Sequence, residues 1–344
     1  MNNLFALFCI VTIASCTPSK QKIKTVAAFH QQQVTGVSVS SNGRIFANFP
    51  RWREGVKNSV VEVSENGKSV SYPNEKWNSW EINNSINDSV FVAVQSVVAF
   101  KNNLYVLDTR NPLFKGVKDA PRIFVFDLVT NTLKRIYIFS ESSYHNNSYI
   151  NDLRIDSKNN KAYLTDSGHA GLLVLDLDSG NSKRVLDNHP STLAETDGLT
   201  FGESKWNATV HSDGIALDTT NDMLYYHALT GYSLYAIPTK TLINGTNAEI
   251  EKNVQFIQKT AAPDGMIFDK FGNLYFADLE NNRIMKLNIS TRVLEVFVEG
   301  DNVKWADTFS IYKDELYYTN SRINETKERF NELTFTINKV KTTN

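Results

Sequence analysis

Residues 212–229 read SDGIALDTTNDMLYYHAL and residues 263–278 read PDGMIFDKFGNLYFAD. Each is a short apolar strand, a turn built from Asn, Asp or Gly, and a second strand carrying an aromatic residue. The unit returns as VSVSSNGRIFANF from Val37, QSVVAFKNNLYVLD from Gln95, NDLRIDSKNNKAYLTD from Asn151 and ADTFSIYKDELYYTN from Ala306. Aligned on Phe46, Tyr105, Tyr163, Tyr225, Tyr275 and Tyr317, the copies stand 42 to 62 residues apart, room for four-stranded blades with variable loops. Ile123–Leu128 and Leu172–Leu177 are apolar runs that supply outer strands, and helical periodicity is nearly absent. Six units that cannot bury both faces alone must pack side by side, and radial closure limits exposed edges. The sequence therefore predicts an all-β fold: one six-bladed β-propeller with four-stranded blades over residues 22–341. Its expected clasp pairs Lys22–Phe29 with Leu333–Val340.

The chain has 344 residues, a net charge of -1 and 41% hydrophobic residues. That balance offers no basic surface to displace counterions, so nucleic acid is not expected as a partner. Leu4–Ala14 is an apolar run too short to span a bilayer and suited to a signal-peptide core. It ends in Ile13-Ala14-Ser15-Cys16, similar to a bacterial lipobox in which Cys16 would be lipidated, although Met1-Asn2-Asn3 carries no Lys or Arg. Residues 1–16 are thus expected to be a leader and residues 17–21 a tether. The chain is expected to be exported, as an envelope lipoprotein or, with Cys16 incidental, as a secreted protein. The membrane is then reached only through the N-terminal lipid. Both cysteines, Cys9 and Cys16, lie in the leader, which leaves the propeller without a disulfide or a thiol nucleophile. Seven Asn-x-Ser/Thr sequons follow from an Asn-rich composition, or would be glycan sites in a eukaryotic secreted protein.

In a propeller the first strand of each blade lines the central channel. Counting back from the aromatics places Thr35, Gln95, Asp152, Asp213, Asp264 and Asp307 around one channel mouth, with Asn151 beside Asp152. Converging carboxylates repel unless a cation, a hydrogen-bond donor or a raised pKa relieves them, which makes this lopsided ring a candidate site. The alternative is ordinary Asp-Gly turn chemistry copied from blade to blade. A second set, Asp108, Asp166, Asp278 and Asn320, follows the aromatics by three residues and is expected to tie blades together, with Asn320 the exception to watch. The six histidines show no metal-type spacing, and Asp176–Gly180 reads as a hairpin turn rather than a calcium loop. Asp187–His211, with Trp206, is either a lid over the channel or a surface loop.

Several motifs resemble the Yellow / major royal jelly protein family: PRW at Pro50, YPNEKWNSW at Tyr72, VQSVV at Val94, LYVLDTR at Leu104, LYYHALTGYSLYAIPT at Leu224, WADTF at Trp305 and TNSR at Thr319. They run in order through nearly the whole propeller. The resemblance implies a six-bladed propeller with a small-ligand pocket at one channel mouth, with Asn320 in the amine-binding region. Members include dopachrome-converting pigmentation proteins and amine-binding salivary proteins. The chain departs from the family in lacking disulfide cysteines, and its leader points to a bacterial relative.

INDLRID, SDGIALD and PDGMIFD also resemble the channel motifs of gluconolactonase / senescence-marker propellers. That resemblance implies a divalent cation, commonly calcium, on Asp264, Asp213 and Gln95, with Asn151 facing substrate. Gln95 stands where that family has a Glu. The expected ligand-binding set is Gln95, Asn151, Asp152, Asp213, Asp264, Asp307 and Asn320. The expected partner is a small organic molecule, aromatic or amine-bearing, on a monomeric propeller. Metal-dependent lactone hydrolysis, dopachrome-type isomerisation and a purely structural role stand as alternatives.

Overall fold

The computed structural model describes residues 22–342, so the leader, the lipobox and the tether lie outside the described residues. Six four-stranded antiparallel sheets form the propeller, and their innermost strands touch in blade order until the first meets the sixth. Blade 1 comprises Gly36–Val39, Ile45–Asn48, Val60–Val63 and Ser69–Ser71. Blade 2 follows with Val94–Phe100, Asn103–Asp108, Arg122–Asp127 and Thr132–Ile138. Blade 3 is Ile150–Asp156, Lys161–Asp166, Gly171–Asp176 and Ser182–Val185. Blade 4 is Ser212–Asp218, Met223–Ala228, Ser233–Pro238 and Gln255–Lys259, and blade 5 is Met266–Phe268, Asn273–Asp278, Arg283–Asn288 and Leu294–Glu299. Blade 6 takes Ala306–Tyr312, Glu315–Asn320 and Thr334–Lys341 from the C-terminal end and Lys24–His30 from the N-terminal end. Lys24 pairs with Lys339 and His30 with Thr334, so the ring is shut by hydrogen bonds between the two ends of the chain.

The repeat has a local cause. Gly43, Lys101, Asn160, Asp222, Gly272 and Lys313 all have positive φ just before the second strand of their blades. Asn, Asp and Gly tolerate that conformation, which explains the turn composition. The aligned aromatics are buried between blades, Phe46, Tyr163 and Tyr275 completely. Burying each ring contributes about 1.5–3 kcal/mol, and the Tyr163 hydroxyl donates to Asp156 of its own hairpin at 3.0 Å. Asp176 accepts from the backbone of Asp178 and Ser179 ahead of Gly180 at φ 83, the expected hairpin turn.

Four innermost strands carry a β-bulge at the mouth end, between Val94 and Ser96, Ile150 and Leu153, Ser212 and Ile215, and Ala306 and Phe309. The extra residue re-aims a side chain into the channel. The register of the hairpins corrects the ring, because Tyr163 pairs with Arg154 as Tyr105 pairs with Val98. The position matching Gln95 is therefore Asn151, and Asp152 stands one residue further on, level with Ser96, Gly214, Gly265 and Thr308. There its carboxylate accepts from Ser96 Oγ at 2.8 Å and pairs with Arg154 at 2.7 Å. Glycine at 214 and 265 has a packing cause: a Cβ would lie 2.4 Å from the carbonyl oxygen of Asp264 or Asp307 in the next blade. The Asp-Gly pairs are thus contacts between blades as well as strand starts.

Candidate functional site

The ring residues converge at one channel mouth, under a cavity of about 470 Å³ lined by Gln95, Asn151, Asp213, Asp264 and Asp307. Its walls are aromatic: Trp52, Phe114 and Tyr149 on one side, Trp206 and Trp305 on the other. Phe114 packs on Tyr149 with centroids 4.8 Å apart and on Trp52 at 5.9 Å. Asp152 and Asn320 are absent from the lining. Asn320 ends the second strand of blade 6, buried and with no partner for its Oδ1, while the neighbouring Ser321 hydroxyl donates to the Trp305 carbonyl at 3.2 Å.

A one-way chain of hydrogen bonds crosses the mouth. Trp52 Nε1 donates to Tyr149 Oη at 2.5 Å, and Tyr149 Oη donates to Gln95 Oε1 at 2.8 Å. Gln95 Nε2 then donates to Asn151 Oδ1 at 2.8 Å, and Asn151 Nδ2 donates to Asp213 Oδ2. From the far side Trp305 Nε1 donates to Asp264 Oδ2 at 2.7 Å. Each donor orients the next, and the chain ends on a carboxyl group.

No Lys, Arg or His forms an ion pair with Asp213, Asp264 or Asp307 among the described residues. All three carboxyls are buried, and burial disfavours their ionised forms. Asp213 is pushed well above the usual carboxylate range by desolvation first, then by the charges of Asp264 and Asp307. Asp307 rises for the same leading reason, with Asp264 next. Asp264 is pushed up to about 7 by desolvation, held from going further by hydrogen bonds from Trp305 and Asp213. Asp213 and Asp264 therefore titrate as a pair, whose proton belongs to neither residue alone.

The segment Asp187–His211 contains a hairpin, Gly198–Phe201 with Ser204–Asn207, that leans over this mouth. Its Trp206 meets Trp305 edge-on at 4.8 Å, and Phe201 stacks on Trp305 at 5.7 Å. Of the two readings of this segment, the covering one describes its position. The second aspartate set is structural, but Asp108 and Asp166 each tie the second strand to the entry of its own blade rather than joining neighbouring blades. Asp108 accepts from the backbone of Val92 and Ala93 and neighbours the buried Arg110 at 3.4 Å, and Asp166 accepts from Tyr149 N and pairs with Arg184 at 2.9 Å.

Sequence comparison matches residues 92–343, well over half of the chain, to the family model described as major royal jelly protein. The chain belongs to the major royal jelly protein family. Among curated relatives it is 24% identical over 231 residues to a dopaminechrome tautomerase of Drosophila melanogaster, covering 61% of this chain and 48% of that protein. It is 26% identical to major royal jelly protein 5 of Apis mellifera over 70% of this chain and 42% of that protein. This family member therefore spans about half or less of the length of those relatives. Among solved structures, a luciferin-regenerating enzyme superposes with a TM-score of 0.61 at 12% identity, covering 93% of this chain and 95% of the other. A gluconolactonase from Xanthomonas campestris superposes at 0.60 and 11% identity, covering 95% and 96%. These likenesses establish the propeller and nothing finer.

Two family-motif residues have roles that sequence reasoning missed: Trp52 of PRW and Trp305 of WADTF both aim an indole N–H into the mouth. The available signal was the residue type itself, since a buried Trp N–H needs an acceptor.

Proposed function

We propose that this member of the major royal jelly protein family binds a small aromatic, amine-bearing organic molecule at the channel mouth. One observation carries the reading: three buried carboxyls with no cationic partner form the floor of a cavity walled by five aromatic residues. An ammonium about 4 Å from one ionised carboxylate gains on the order of 4 kcal/mol at an effective dielectric near 20, before its own desolvation. The flanking indoles and phenol add stacking and cation–π contacts. Titration calorimetry at pH 8 with tyramine against neutral phenol tests this. Tighter binding of tyramine, lost in the Asp213→Asn/Asp264→Asn double variant, is expected; equal affinity for both compounds would overturn it.

The paired carboxyls of Asp213 and Asp264 favour a second reading, isomerisation. One would take a proton from a substrate carbon while the other returns one to a substrate oxygen, with no net change in protons. The similarity to a dopaminechrome tautomerase supports trying that compound first. Decay of dopaminechrome at the same rate with wild-type and Asp264→Asn protein would exclude it.

A divalent cation is the competing occupant. Asp213 and Asp264 offer carboxylate oxygens suited to calcium. Gln95 does not fit as a ligand in this arrangement, because its oxygen accepts from Tyr149 and its amide nitrogen faces Asn151. A calcium-dependent rise in melting temperature, absent from the Asp213→Asn/Asp264→Asn variant, would favour the metal over the amine. Export rests on Leu4–Ala14 and Cys16 in the sequence. Mass analysis of the mature N-terminus distinguishes a lipidated Cys16 from a plain cleavage.

A further inference from the structure

Two histidines that look unrelated in sequence meet on the rim of blade 3. His145 lies in the connection entering Ile150–Asp156, His169 in the turn between Lys161–Asp166 and Gly171–Asp176, and Asp187 just beyond Ser182–Val185. Antiparallel strands return all three connections to the mouth end of the blade. The imidazoles stack with centroids 3.8 Å apart and planes 27° apart. His145 Nε2 and His169 Nε2 stand 3.2 Å and 3.6 Å from Asp187 Oδ1, and the three ligand atoms lie within 4.8 Å of one another. We propose that His145, His169 and Asp187 form a binding site for a divalent transition-metal ion of the zinc class, separate from the channel mouth.

The donor separations suit such an ion, and because a metal lies in the plane of each imidazole it binds, the stacked rings turn to aim both lone pairs at it. Zinc holds nitrogen and oxygen ligands at about 2.0–2.2 Å, so neighbouring ligand atoms on a tetrahedron stand about 3.3–3.5 Å apart. The two distances to Asp187 bracket that value. Two imidazoles and one carboxylate are a donor set for zinc, cobalt, nickel or copper rather than for calcium or magnesium, which take oxygens.

The surroundings prepare at least one ligand. His169 Nδ1 faces the acceptor Oδ1 of Asn147 at 3.1 Å, and its Nε2 receives Nδ2 of Asn188 at 2.9 Å. Nδ1 therefore carries the proton and Nε2 the lone pair, the tautomer a metal requires, with Asn147 as the outer partner that orients the ring. Arg184 Nε donates to Asp187 Oδ1, while its terminal nitrogens reach the His169 and Ala170 carbonyls. This cation opposes a metal, but its charge is met by the fully buried Asp166 at 2.9 Å. Asp187 Oδ2 takes no hydrogen bond among the described residues, so the carboxylate keeps a free oxygen. His145 and Asp187 are 41% and 43% exposed, which leaves a fourth position open to water or an external ligand.

Zinc and cobalt, each added alone to untagged protein, test the site by calorimetry and by cobalt absorption. One ion per chain is expected, with tetrahedral cobalt bands in the wild type. Asn147→Ala should weaken binding about 10- to 100-fold, as loss of an outer partner does, and the His145→Ala/His169→Ala double variant should abolish it. The Asp213→Asn/Asp264→Asn variant should bind as wild type does, so failure here leaves the channel-mouth reading untouched. Absence of stoichiometric zinc or cobalt binding to the wild type overturns the proposal, as does binding that survives loss of both histidines.

Discussion

Replacing Asp264 with Asn should make the propeller more stable at pH 8 than the wild type, although it removes a charged group from the candidate site. In the unfolded chain this carboxyl ionises near 3.9, whereas in the fold it is pushed up to about 7, chiefly by desolvation. Between those values the folded state holds a proton that the unfolded state has released. Folding stability therefore falls as pH rises through this window and levels off above about 7. A rise from 3.8 to about 7 corresponds to roughly 4 kcal/mol once ionisation is complete. About 3 kcal/mol of that is lost between pH 5 and pH 8. Asn keeps an oxygen for the Trp305 N–H and carries no charge, and its presence lowers the electrostatic load on Asp213 and Asp307. Urea melts of wild type and Asp264→Asn at pH 5 and pH 8 read the effect directly. A wild-type curve that declines with pH beside a flatter variant curve is expected. Parallel curves, or a variant less stable than wild type at pH 8, would refute the desolvation argument. An ammonium ligand bound to the ionised pair should restore wild-type stability at pH 8.

Asp108→Ala strips the backbone amides of Val92 and Ala93 of their acceptor and removes the carboxylate nearest the fully buried Arg110; a loss of about 3–5 kcal/mol in urea melts is expected. Gly265→Ala drives a methyl group into the Asp307 carbonyl of the next blade, and about 1–3 kcal/mol of destabilisation should appear in the same assay. Trp206→Ala removes the hairpin's aromatic contact with Trp305 and should weaken tyramine binding by about 1 kcal/mol, roughly fivefold, with little change in melting temperature.

The blade count was legible because its causes are local. A left-handed turn residue, an apolar strand and one aromatic per hairpin recur whatever the rest of the chain does, and they mark Phe46 through Tyr317 in order. The site was legible only to within a residue. Counting back from Tyr163 lands on Asp152, but the longer turn of blade 3 pairs Tyr163 with Arg154 where the shorter one of blade 2 pairs Tyr105 with Val98, so Asn151 takes the ring position and Asp152 pairs with Arg154. A fixed count misses this, since turn length shows only when two strands are laid in register.

By itself the sequence determined an all-β six-bladed ring and a mouth rich in carboxyl groups. It also marked the mouth as lopsided, with Asp at 152, 213, 264 and 307 against Thr35 and Gln95, although strand register puts Asn151 in the place of Asp152. Only the tertiary structure decided what those groups are. Burial without a cation raises the pKa of the three carboxyls, Trp305 and the chain from Trp52 orient them, and the Trp206 hairpin covers them. The same holds for His145, His169 and Asp187, which three separate connections of blade 3 bring together. Desolvation and convergence depend on how blades pack against one another, and that packing joins residues whose separation along the chain carries no signal.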